Sequence, residues 1–418
     1  MGFESQYVTR FEERQRLLFE LHAEGTAHDL RPLEAAIYDL CCAYADSTNS
    51  DRRSRVLQEV ATRGRVDFHP AVTRLRDRLD DPSNYRSSDD DGWSALGAAM
   101  EGDLIELIEA RNRLAVDQGF ASYGHLAMWH EGLDIAAVRR FIADRRDDAL
   151  PAARRTIDQE GMTLKSWFDD LERLGGPGPD DVADSAEAMT HHLGLSDLAH
   201  RLSWIVKDQP IYGIAFGVSV PGDVRILLGR SGSLTAQATA FHELGHALHH
   251  AANRGTGIFR TWDVTSDESM AVVVERLATR SLHNDERRRI ATVETLEAAR
   301  QATSFLFEAA VDAEPARARE FFVQWYGPLA PFENPAMWAR DSFRSIDPFH
   351  IHAYVIGNVV ADATLAFLSD RYPGEPTAWG PWLVEHYFAE GRGRSLSDRL
   401  DDLEEHRPSV LNPLFLER

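Results

Sequence analysis

Along most of the chain, apolar residues return every three or four positions, the spacing of one face of a helix. Segment 10–24 places Phe11, Leu17, Leu18 and Leu21 on such a stripe. Segment 97–118 does the same with Met100, Leu104, Leu107, Ile108, Leu114 and Val116. The pattern recurs over 34–46, 53–63, 136–147, 184–194, 284–314 and 356–370, without a fixed-period repeat. Polar stretches at 81–92 and 174–182, rich in Asp, Gly and Pro, read as surface loops rather than interdomain linkers. A strand pattern appears at 211–229, where Ile211, Tyr212, Ile214, Phe216, Val218 and Val220 form one run. Pro221-Gly222-Asp223 makes a turn and Val224–Leu228 returns, which predicts a β-hairpin.

Composition narrows the picture. The chain has 418 residues, 43% apolar and 27% charged, close to a globular average. Its formal net charge is −22, and Lys165 and Lys207 are its only lysines. An acidic surface repels phosphate backbones, so nucleic acid is not an expected partner. No apolar run approaches the ~18 residues of a membrane span, so no membrane partner is expected. The two cysteines, Cys41 and Cys42, are adjacent, which leaves no disulfide framework and no thiolate metal site. The first residues carry no basic-then-apolar leader. A cytoplasmic location is expected, and nothing specifies an oligomeric state.

The chemistry concentrates just after the hairpin. Residues 242–246 read His242-Glu243-Leu244-Gly245-His246. On a helix, positions i and i+4 project from one face, so both imidazoles can bind one Zn²⁺. Glu243 then sits where a carboxylate can take a proton from water at the metal. Ser233 or Thr235 can cap this helix, and Gln237, Ala238, Ala240, Ala247 and Leu248 favour it.

A catalytic zinc site needs a third protein ligand and an open position. Ser266-Asp267-Glu268 opens another helical run through Leu277. Glu268 and Glu275 are seven apart and share a face with Ala271 and Val272. Carboxylates on an apolar face are costly without a partner, and a cation with its histidines would supply one. Glu268 is the favoured third ligand, Glu275 the favoured support to a ligand, and Asp267 the competing ligand. His250 reads as a surface residue. Arg340 and Arg344 are candidates to pair with a substrate carboxylate.

These residues resemble a family. A hairpin, then His242-Glu243-Leu244-Gly245-His246-Ala247-Leu248-His249, then a glutamate opening a later helix, is similar to the gluzincin oligopeptidases. Thimet oligopeptidase and oligoendopeptidase F come first, and angiotensin-converting enzyme more distantly. The Glu268–Glu275 interval matches, as does Arg111-Asn112-Arg113-Leu114-Ala115 with Gly119-Phe120-Ala121-Ser122-Tyr123. The likeness covers about 110–130 and 211–277, and more weakly 346–370. In that last stretch these enzymes carry oxyanion-stabilising histidine and tyrosines. The corresponding residues here are His350, His352 and Tyr354, while Gly357 and Asn358 stand where further tyrosines would be. Alternation along the chain would bring His350, His352 and Tyr354 to one cleft.

The resemblance implies a mainly α, two-lobed helical metallopeptidase with a small antiparallel hairpin beside the active-site helix. The N-terminal lobe would span 1–200 and the catalytic lobe 201–418, as one catalytic unit. It implies one Zn²⁺ per chain, held by His242, His246 and Glu268, with Glu243 as general base. Tyr354, His350 and His352 would serve the transition state, and strand 224–229 would pair with an extended short peptide. A specialised amidase for a peptide-like metabolite, or a non-catalytic metal-binding homologue, is the alternative.

Overall fold

The chain was analysed as a computed structural model that describes residues 2–26, 28–45, 51–79, 90–164, 179–207, 213–229, 234–261, 263–280 and 284–416. Most of the expected 81–92 loop, the start of the 174–182 loop, Ile211, Tyr212 and Ser233 lie outside these residues. The fold is mainly α. Its principal helices are α1 (Phe3–Glu24), α2 (Arg31–Tyr44), α3 (Arg52–Asp67), α4 (Pro70–Leu79), α5 (Asp90–Asp117), α6 (Tyr123–Glu131), α7 (Ile135–Glu160) and α8 (Pro179–His192). Then come β1 (Leu202–Lys207), β2 (Gly213–Ser219), β3 (Asp223–Gly229), α9 (Leu234–Ala252) and α10 (Val264–Thr279). The rest of the chain forms α11 (Asn284–Ala313), α12 (Ala318–Tyr326), α13 (His352–Arg371) and a series of short helical turns. Among the described residues, no helix is long and apolar enough to cross a membrane.

Two interleaved compact units account for the packing. One comprises Met1–Leu57, Asp170–Ala291 and Ile356–Asn412, and the other Gln58–Asp169, Thr292–Val355 and Pro413–Arg418. The sequence reading placed a single boundary near 200.

In the first unit the sheet order is β1-β3-β2. β2 runs antiparallel to β3, from Gly213 opposite Leu228 to Ser219 opposite Asp223. β1 lies parallel to β3, from Leu202 opposite Val224 to Lys207 opposite Gly229. The expected hairpin is therefore present within a mixed three-stranded sheet. Its returning strand, 224–229, has partners on both sides and cannot accept a substrate strand. β2 alternates large and small residues. Phe216 and Val218 join Phe19, Ala23 and Leu227 in a buried cluster, with Ile214 packed against it. Phe19 of α1 meets Phe216 edge-on at 5.7 Å. The small residues of β2 sit closer to α9: a Cβ on Gly217 would lie 2.7 Å from a His250 ring nitrogen. His250 is accordingly buried, not a surface residue.

The second unit packs around Phe307, which meets Phe322, Tyr326 and Trp338 edge-on at 5.6–6.0 Å. Trp338 is fully buried and donates its Nε1–H to Glu101 at 2.7 Å. The Arg111-Asn112…Tyr123 segment is a clamp in this unit. Arg111 donates to the carbonyls of Arg344 and Ser345 at 2.6 and 2.7 Å. Asn112 donates to the Asp312 carbonyl and accepts the Tyr123 N–H.

Candidate metal centre

The site is built by α9 and α10. Asp263 caps α10, accepting the Ser266 N–H at 2.8 Å, so the helix starts just ahead of the run read from the sequence. The two helices approach closely because of Gly245, where a Cβ would lie 2.5 Å from Ala271 Cα. This closeness sets His242 and His246, one turn apart on α9, against Glu268 of α10.

His242 Nε2 and His246 Nε2 are 3.2 Å apart. Glu268 Oε2 lies 3.1 Å from the first and 3.8 Å from the second. The other nitrogens face outward to carboxylates: His242 Nδ1 is 3.1 Å from Glu275 Oε2, and His246 Nδ1 is 3.0 Å from Asp267 Oδ2. The second contact is within hydrogen-bonding distance but off the ring's N–H axis. Asp267 places its other oxygen, Oδ1, 2.9 Å from His249 Nδ1. Both Asp267 oxygens are thus turned to Nδ1 atoms, whereas the Glu268 oxygen joins the Nε2 pair.

The electrostatics favour positive charge between the rings. Burial disfavours a charged His242, but Glu268 and Glu275 outweigh it and hold its pKa well above the usual histidine range. Burial likewise opposes charge on His246, but Asp267 leads the carboxylates that push it up to about 9. Glu243 is buried next to the cluster, and desolvation raises its pKa. The Ala215 backbone of β2 lies close enough to offset part of that rise. Gly213 leaves room for Glu243, since a Cβ there would lie 2.6 Å from Glu243 Cγ.

The donor set fits a zinc ion. Tetrahedral ligands at about 2.0–2.1 Å stand roughly 3.3 Å from one another. With a carboxylate close to each Nδ1, the tautomers that leave both Nε2 lone pairs 3.2 Å apart are favoured, an arrangement a cation relieves. Among the described residues, His242, His246 and Glu268 form the one group with converging metal-ligand atoms.

The residues read as serving the transition state belong to the second unit. His350 stacks on Phe343 at 5.2 Å and lies 5.4 Å from the Tyr354 ring. His352 packs on different residues. It is 1% exposed, packs 6.1 Å from Phe305, and holds the Phe349 carbonyl 2.5 Å from Nδ1. The expected alternation fails because α13 begins at His352, and positions two apart on a helix diverge by about 200°. Arg344 is not a substrate-facing arginine: it is buried and bonds to the Trp338 carbonyl, Ser304 and Tyr326. Arg340 lies flat over Trp93, its guanidinium 3.3 Å from the ring centroid.

Two features escaped the sequence reading. One is the Asp267–His249 contact. The other is Gly357, where a Cβ would sit 3.2 Å from Ser269 Cα, beside Glu268. The absence of a side chain at Gly357 leaves space for α13 to meet α10. Asn358 accepts from Arg276 at 2.7 Å.

No family model and no curated protein sequence matches the chain. Solved structures do. An M32 carboxypeptidase from Deinococcus radiodurans R1 superposes with TM-score 0.67 at 14% identity, over 97% of this chain and 93% of that one. A Pyrococcus furiosus carboxypeptidase gives 0.64 at 13% identity, over 98% and 97%. A protein described as an oligoendopeptidase F, from Bacillus anthracis str. Ames, gives 0.55 at 14%, over 98% and 80%. At such identities the likeness establishes the fold: this chain has the mainly helical architecture of those peptidase structures.

Proposed function

We propose that the chain is a metal-dependent peptidase acting on short peptides, with Zn²⁺ held by His242, His246 and Glu268. The observation that carries this reading is the convergence of two Nε2 atoms and one carboxylate oxygen beside the buried Glu243. The fold shared with carboxypeptidases and an oligoendopeptidase F supports a peptide as substrate.

Zn²⁺ at this site supplies a Lewis acid that brings the pKa of water towards ~7. The remaining work falls to the chain. Glu275 hydrogen-bonds His242 Nδ1 and Asp267 lies 3.0 Å from His246 Nδ1, which favours the tautomers with both Nε2 lone pairs turned inward. Glu243 takes a proton from the attacking water and returns it to the leaving amine, a role helped by the upward pKa shift that its burial causes. β2 replaces 224–229 as the strand beside which an extended peptide binds, because it is an edge of the sheet and borders Glu243.

The test is a defined mixture of unrelated short peptides incubated with zinc-loaded protein and read by mass spectrometry. Chelator-sensitive hydrolysis is expected. Loss of single C-terminal residues would identify a carboxypeptidase, and internal fragments an oligopeptidase. Silence with stoichiometric metal bound would overturn the reading.

A further inference from the structure

We propose that Asp267 and His249 form a positioning pair that fixes the His246 imidazole for metal binding, and that Asp267 is not itself a ligand. This rests on the metal centre proposed above. One helix grips one imidazole from both sides. Glu268 faces Nε2 of His246, while its neighbour Asp267 places Oδ2 3.0 Å from Nδ1. Adjacent helical residues diverge by about 100°, which lets consecutive carboxylates take opposite ends of the ring. The second oxygen of Asp267 is occupied by His249 at 2.9 Å. His249 lies three residues beyond His246, one turn along the same face of α9.

The hydrogen-bond inventory makes the carboxylate necessary. A carboxylate has two acceptor oxygens, so it can bond His249 at one and keep the other, negatively charged, 3.0 Å from His246 Nδ1. An amide offers one acceptor and one donor. It would therefore oblige one ring to present a bare Nδ1, and for His246 that tautomer places a proton on Nε2, where the metal binds. Burial separates this support from the one on His242. The His249 side chain is 0% exposed and that of Asp267 13%, against 24% for Glu275. Water can replace Glu275 more readily than it can replace Asp267.

The test measures Zn²⁺ affinity by competition with a chromophoric chelator, and Co²⁺ absorption as a probe of ligand geometry. Asp267→Asn keeps the side-chain shape and is expected to lower Zn²⁺ affinity about 10–100-fold with an altered Co²⁺ spectrum. Asp267→Glu should recover part of the loss. His249→Leu should lose less, and the double variant should resemble Asp267→Asn rather than the sum, because the two act through one carboxylate. Circular dichroism of the metal-free proteins reports folding. If Asp267→Asn does not fold, His249→Leu decides. Wild-type affinity and spectrum in the folded variants would overturn the pair. A wild type that binds no metal would overturn it together with the metal centre, whereas metal bound without peptide hydrolysis overturns only the peptidase reading.

Discussion

Two imidazole nitrogens 3.2 Å apart, each ring turned outward to a carboxylate, are unfavourable neighbours without a positive charge between them. Glu268 faces both, and its side chain is 7% exposed, so water can do little to replace a cation there. Glu275 touches one ring from the outside. The two glutamates should therefore respond differently to removal. Glu268→Ala should lose stoichiometric zinc after dialysis, whereas Glu275→Ala should keep it with affinity lowered about 10–100-fold. Metal analysis of both proteins checks this, and full occupancy in Glu268→Ala would move the third ligand elsewhere. At this scale much was legible from the sequence. His242 and His246 are marked as candidate ligands by i,i+4 spacing, and Glu268 by standing charged in an apolar run. Asp267 stayed a competitor to the favoured Glu268, because both are acidic and adjacent. Only the direction in which each carboxylate faces distinguishes them.

At the scale of elements, the site depends on how closely helices approach. Gly245 lets α9 meet α10, and Gly357 lets α13 do so beside Glu268. Gly357→Val would press a branched side chain on the Ser269 backbone. Overpacking of this kind costs about 1–3 kcal/mol. Urea denaturation of the metal-free variant should show that loss, and a zinc titration should show weakened binding. Unchanged stability and affinity would contradict the role given to this contact. The helices were legible because amphipathic periodicity is local. The place of β3 was not, since a strand read in isolation does not reveal whether it is central. β1 supplies its second partner, and Leu202–Lys207 carries too little alternation to be recognised. The side-by-side arrangement of His350, His352 and Tyr354 failed for a related reason: extended alternation was assumed across the point where α13 starts.

For the molecule as a whole, the interleaving of two units was beyond a linear reading, because each is assembled from segments distant in sequence. Its pH behaviour follows from the site. In the metal-free protein, His246 has a pKa of about 9 against 6.5 for an ordinary histidine. A raised folded-state pKa contributes stability that is complete below about pH 6.5 and is lost as pH rises through about 9. Zinc must displace those protons, so its affinity should climb over the same window. Denaturation of chelator-treated protein and zinc titrations across this range should therefore run in opposite directions, and two flat profiles would contradict the charge assignment. The central claim is that a metal and the Glu243 carboxylate divide the chemistry between them. It is tested most directly by comparing wild type with Glu243→Gln for zinc content and peptide turnover in one preparation. Equal stoichiometric zinc, with turnover reduced about 10²–10⁴-fold in the variant, is the predicted result. Undiminished turnover in Glu243→Gln, or a wild type without zinc, would contradict it.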